Sequence, residues 1–270
     1  MYKNKRIAIC LFIFLLVSTI FVFQNYHSIF VKKIYQDKRK IESASIHSPI
    51  RILGNNNFTI DNGVTSGIGT IDDPFIIKDL IIETNGTENC IFINNTNVFF
   101  VIKNCTLLYK GLDFALRLNN VSNGRMINNT IKNSGIYTYN SHNNYYINNT
   151  IHDSTSIILW NSNNNTIKNN EINNCEFQIF YSANNKIIQN HIFNNSIGIE
   201  VYGSENITIS RNRIHNCSQY GITVKFNSNN TAITDNYIYF FGFNATDIDE
   251  DCLTGLILEG NIYTEPESNG

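Results

Sequence analysis

Four aromatic residues, Tyr139, Trp160, Phe180 and Tyr202, follow one another at intervals of 20 to 22 residues, and Trp160 is the only tryptophan of the chain. Arg117 precedes this row and Lys225 follows it at nearly the same spacing. Aromatic rings pack on the apolar faces of sugar rings, and arginine or lysine bonds hydroxyls or anionic groups. If the spacing is one coil of a stacked structure, at ~4.8 Å per strand, the four rings form a stripe of roughly 14 Å. An exposed apolar strip rimmed by polar groups marks an interaction site. A second outward column then reads Ala115, Tyr137, Ile158, Gln178, Glu200 and Thr223. Tyr137 and Gln178 join the candidate contacts on that basis.

Glu176 and Glu200 would face outward beside these rings, in adjacent coils and offset by two residues, with Cα atoms about 8 Å apart. Two carboxylates so placed suit acid/base or nucleophilic cleavage of a glycosidic bond. Each feature also has a plainer role. Stacked aromatics support neighbouring strands, and carboxylates on an exposed strand keep it soluble.

Metal chemistry finds no matching spacing. His152 and His215 share a column three coils apart, roughly 14 Å, and His142 and His191 fall in other columns. Asp247-Ile-Asp249-Glu-Asp251 alternates carboxylates like a calcium loop, but Cys252 and Leu258 stand where such a loop needs glycine and a bidentate glutamate. This stretch reads as a solvated acidic loop before the last coil. No metal and no cofactor is expected.

The elements that position the aromatics are set by a repeat. Phrases such as Met126-Ile-Asn-Asn129-Thr-Ile131, Ile167-Lys-Asn-Asn170-Glu-Ile172 and Ile209-Ser-Arg-Asn212-Arg-Ile214 return along the chain. The marked column is Cys105, Asn129, Asn149, Asn170, Asn190, Asn212, Asn236 and Asn261, with steps of 20 to 25 residues. A fixed period in this range signals a repeat architecture. Each unit carries an alternating run, for example Ile157-Ile-Leu159-Trp160, then an Asn/Ser turn such as Asn161-Ser-Asn-Asn-Asn165. Period-two alternation is a strand with one buried face, and asparagine and serine suit tight turns. Three short strands and three turns in about 22 residues make one coil of a right-handed parallel β-helix. The isoleucines fill it. The asparagines form an inward ladder that satisfies the backbone at one bend, starting at Cys105.

These repeats resemble those of the NosD-like and pectate-lyase-like superfamily of carbohydrate-binding and sugar-hydrolysis domains. The leading stretch of Ile50-Arg-Ile-Leu-Gly-Asn, Asn62-Gly-Val, Gly67-Ile-Gly-Thr70 and Asp73-Pro-Phe-Ile-Ile77 is similar to the start of such domains in surface proteins. The resemblance covers roughly residues 47–263. It implies the fold, and it implies carbohydrate as the ligand class, either bound or processed.

The first residues read as a membrane signal. Lys3, Lys5 and Arg6 precede an uncharged, mostly apolar run that extends from residue 7 to 31, long enough to span a bilayer. No small-residue cleavage site follows Phe23, which favours an uncleaved anchor over a secretory signal. Residues 32–46 form a charged stalk, 47–90 a cap segment of the β-helix, and 264–270 a disordered tail. Six cysteines are spread along the chain, and Cys175 and Cys217 share a column two coils apart, too far for a disulfide. Sequons such as Asn57, Asn120 and Asn206 are available for glycosylation. The net charge of −2 gives no basic excess for nucleic acid.

The combined expectation is an all-β right-handed parallel β-helix of eight or nine coils with an N-terminal transmembrane or signal helix. It would be displayed outside the cytoplasm and bind glycan along the stripe. A carbohydrate-active enzyme and a structural stalk are the alternatives. Self-association through the stripe or the last coil's open edge at Tyr263 is the further partner reading.

Overall fold

The structure is a computed structural model that describes residues 45–154 and 156–264. The anchor expected over 7–31, most of the 32–46 stalk and nearly all of the 264–270 tail lie outside these residues. Among the described residues no helix is long and apolar enough to cross a membrane.

The described chain winds as an all-β solenoid. One coil runs through the strands Ile136–Tyr139, Tyr145–Ile147 and Thr150–His152, and the next begins at Ser156–Trp160. Stacking gives three sheets of nine, ten and ten strands. The first contains Ile136–Tyr139, the second Tyr145–Ile147 and the third Thr150–His152. Equivalent strands pair in parallel from coil to coil. Parallel pairing in register places equivalent side chains in columns, so a sequence column becomes a physical one. The pair of Val64–Ser66 with Phe75–Lys78 is antiparallel, while Phe75–Lys78 also pairs in parallel with Phe100–Lys103 of the next coil. There the buried Phe58 ring stacks on Phe75 at 4.8 Å and leans on Phe100 at 5.4 Å, closing that end of the core.

The interior is columns of aliphatics. Ile131, Ile151, Ile172, Ile192, Ile214 and Ile238 are buried in succession on the third sheet. One polar pair interrupts this packing. Tyr146 occupies an otherwise apolar column, and its hydroxyl meets Thr138 Oγ1 at 2.7 Å across the core. Each supplies the partner that a buried hydroxyl requires. At the other end Leu258 and Tyr263 are 47% and 44% exposed, in columns that the preceding coils bury.

The bends are held by ladders. In the asparagine column, Asn149 Oδ1 accepts from Asn129 N at 2.9 Å and from Asn129 Nδ2 at 3.0 Å. Its Nδ2 donates to Met126 O at 2.9 Å. The pattern continues through Asn170, Asn190, Asn212 and Asn236 to Asn261. At the head, Cys105 N donates to Asn129 Oδ1 at 3.0 Å. The residue before each rung, for instance Asn128, Asn148 and Asn169, has φ near +55°, a left-handed geometry that asparagine tolerates better than most residues.

A second ladder, which the sequence reading did not include, holds another bend. Ser141, Ser162, Ser182, Ser204 and Ser228 are buried there, and each backbone N–H up to Ser204 donates to the next serine's Oγ. Ser228 N donates to Cys252 Sγ at 3.2 Å. Cys252 is therefore the last rung of this ladder. The acidic stretch before it is no free loop: Asn244–Ile248 is a strand of the first sheet, paired with Tyr220–Lys225. Cys175 and Cys217 are buried, and burial pushes both thiols up to about 12.

Candidate functional site

The outward face of the first sheet carries the sequence candidates. Tyr139, Trp160, Phe180, Tyr202 and Lys225 are in register in five successive coils. Beside them run Tyr137, Ile158, Gln178, Glu200 and Thr223.

The coil before these differs from expectation. Arg117 pairs with Tyr137, and Asn119 stands where the cation ahead of Tyr139 was expected. Leu116 and Leu118 turn inward, in line with Ile136 and Thr138, and Ala115 is buried. The register of this coil is thus two residues away from the expected one. Alternation has a period of two, so a two-residue slip leaves the hydrophobic pattern intact. Phe114, a core residue by the expected register, instead stacks on the Tyr137 ring at 5.1 Å. Thr223 keeps its place in the outward column but is buried there.

Two residues outside the strands extend the aromatic row. Tyr181 and Phe226 occupy the turn column next to it, which otherwise reads Asn140, Asn161 and Gly203. All five have positive φ, from 48° to 56°. Asparagine and glycine adopt this backbone readily, whereas a bulky ring there is a genuine outlier. The Tyr181 ring lies 5.6 Å from Trp160 and 5.8 Å from Tyr202, and Phe226 stacks on Tyr202 at 4.9 Å and 3°. Phe180 contacts Trp160 at 5.3 Å. Trp160, Phe180, Tyr181, Tyr202 and Phe226 thus form one continuous surface. Tyr181 and Phe226 are about half exposed, at 45% and 49%. Alternation within strands carries no signal for residues in turns, so the strand pattern does not reveal these two.

Charged groups frame this surface. Arg117 Nη1 lies 3.3 Å from Asp113 Oδ2, and the guanidinium sits 5.1 Å over the Tyr137 ring. Lys225 Nζ lies 2.7 Å from both Asp247 Oδ2 and Asp249 Oδ1. Burial pulls the lysine's pKa down, but the hydrogen bonds and charges of the two aspartates outweigh it and the pKa is raised. Between the cations, Gln178 Nε2 donates to Glu200 Oε2 at 2.8 Å and lies 3.5 Å from Glu176 Oε2. Burial, and then the charge of Glu200, raises the Glu176 carboxyl above its ordinary value.

The histidines also come together differently. His191 and His215 lie in adjacent columns of adjacent strands, and their Nε2 atoms are 2.9 Å apart. Phe193 and Tyr239 stack on the His215 ring at 5.2 and 4.6 Å. Among the described residues no group of three or more histidines, cysteines or acids is close enough to hold one metal ion.

A solenoid of stacked parallel coils defines the parallel β-helix class. The family model described as "right handed beta helix region" matches residues 89–238, and the chain belongs to that family. No curated protein matches it significantly. Among solved structures, the mannuronan C-5 epimerase AlgE6 A-module of Azotobacter vinelandii aligns with a TM-score of 0.61 and 15% identity over 71% of this chain and 58% of that one. A periplasmic alginate epimerase, AlgG, aligns with a TM-score of 0.58 and 18% identity over 64% and 47%. The Dettilon tailspike protein aligns with a TM-score of 0.51 and 16% identity over 70% and 47%. The chain spans about half the length of these structures, and the likeness is one of fold.

Proposed function

We propose that this chain is a carbohydrate-binding β-helix module, held outside the cytoplasm, that binds a polysaccharide along the row from Tyr139 to Phe226 without cleaving it. One observation carries the reading. Tyr181 and Phe226 keep large rings in left-handed backbone, where the same column elsewhere uses asparagine or glycine. Such strain is of order 1–3 kcal/mol per residue and clusters at binding and active sites. Both rings are half exposed and widen the row into a platform. Support also comes from the names of the structural neighbours, two of which act on alginate or mannuronan. AlgG is described as periplasmic, in keeping with residues 7–31 serving as an anchor or export signal.

The test is a glycan array probed with the full chain. Binding that weakens about tenfold in Trp160→Ala matches the loss of one interface anchor. An array with no bound glycan sinks the proposal.

A second reading makes the face a glycoside hydrolase. It rests on Glu176 and Glu200 meeting at Gln178, with the Glu176 carboxyl raised as a general acid requires. Release of reducing ends that disappears in Glu200→Gln would establish it. Absence of release from every glycan that binds would remove it.

A further inference from the structure

The aromatic platform does not discriminate by charge, since ring stacking serves neutral and acidic sugars alike. The groups around it do discriminate. By their place in sequence, Arg117 and Lys225 offer cations at both ends of the row. The structure withdraws both. Arg117 is shifted beside Tyr137, lies over that ring and pairs with Asp113. Lys225 is held between Asp247 and Asp249 at 2.7 Å each, so one positive charge answers two negative ones. Glu176 and Glu200 lie between them and bring further carboxylates to the same face. Two cations therefore meet five carboxylates here.

Taking the glycan-binding reading as its basis, we infer that the ligand of this face is an uncharged polysaccharide and that polyuronates are rejected. A polyuronate carries a carboxylate on every sugar. Laid along this row it would meet Glu176, Glu200 and the excess charge of Asp247 and Asp249, and like charges facing one another in an interface suppress binding. A neutral sugar presents hydroxyls instead. A carboxylate has about four acceptor sites, so Glu200 can accept hydrogen bonds from sugar hydroxyls besides the one from Gln178. The Gln178 amide, fixed against Glu200, adds an oriented polar group beside the rings. This preference is opposite to the polymers named for the structural neighbours, whose likeness to this chain is confined to the fold.

The experiment compares matched polymers that differ only at C6, using the full chain at low salt. The pairs are β-1,4-glucan with glucuronan, β-1,4-mannan with mannuronan, and α-1,4-galactan with polygalacturonate. In every pair that binds, the neutral member is expected to bind at least tenfold more tightly than its uronate. Glu200→Gln and the double change Asp247→Asn with Asp249→Asn should both narrow that ratio, the second by freeing Lys225. A uronate that binds as tightly as its neutral partner, or more tightly, overturns this inference and leaves the glycan-binding reading standing. Failure of all six polymers to bind overturns this inference, whereas the glycan-binding reading falls only with an array that holds no bound glycan. A ratio that stays unchanged in both variants overturns the assignment of the preference to these carboxylates.

Discussion

Gly203 lies directly beneath the ring of Tyr181: a Cβ at Gly203 would stand 2.8 Å from Tyr181 Cδ1 and 2.9 Å from Cε1. The missing side chain is what lets the Tyr181 ring lean toward Tyr202. Gly203→Ala should turn the ring away and also place an alanine at φ 56°. The left-handed backbone alone costs about 1–2 kcal/mol. Lower stability on chemical denaturation, together with weaker glycan binding, is the expected pair of results. Unchanged binding would show that the ring's position does not matter.

Tyr181→Asn separates strain from packing. Asparagine suits the backbone that tyrosine strains. The ring of Tyr181 also packs against Trp160 and Tyr202, and removing it forfeits about 0.5–1.5 kcal/mol for each pair. These effects oppose one another, so stability should change by no more than about 1 kcal/mol while glycan affinity drops. A destabilisation well above about 3 kcal/mol on denaturation, more than the two ring pairs together supply, would mark Tyr181 as a structural element.

The asparagine ladder should carry stability and not binding. Asn170 Oδ1 accepts from Asn149 N and Nδ2, and Asn170 Nδ2 donates to Tyr146 O. Asn170→Leu keeps a similar branched shape but orphans the buried Asn149 N–H, which costs about 1–3 kcal/mol, and removes a side-chain bond to Tyr146 O. A destabilisation of about 2–3 kcal/mol is expected on denaturation, with glycan affinity unchanged under native conditions. The same change at Asn261, the partly exposed last rung, should have a smaller effect.

His191 and His215 should make the solenoid sensitive to mild acid. Burial lowers both pKa values, helped by Arg213 at His191 and by His191 at His215, while Glu171 opposes the shift at His191. Above the ordinary value near 6.5 both states are neutral and stability is full. Below it the unfolded chain takes up protons first, so stability falls as the pH drops. Melting temperatures measured from about pH 7 to pH 5 should decline. The decline should be shallower in His191→Asn, and an identical slope would remove the pair from this role.

Much of the fold was legible in the chain because a stacked coil repeats its constraints. The Asn129 to Asn261 spacing, the buried isoleucines and the Asn/Ser turns each return once per coil, so local chemistry alone sets the period, the columns and the all-β class. The row Tyr139, Trp160, Phe180 and Tyr202 followed from the same alternation. The serine column 141, 162, 182, 204 and 228 is equally periodic, and its spacing is a signal that a second ladder was present.

Other relationships needed the tertiary structure. Alternation cannot tell a register from one shifted by two residues, so the placing of Arg117 beside Tyr137 was decided by pairing. The two carboxylates on Lys225 come from the neighbouring coil, and the contact of His191 with His215 runs diagonally between columns. Tyr181 and Phe226 join the platform because turn backbone and the gap at Gly203 aim their rings. The sequence determined the columns, because each coil repeats its own local rules. The tertiary structure decided which groups meet across them, because ring direction and ion pairing depend on neighbours roughly twenty residues away.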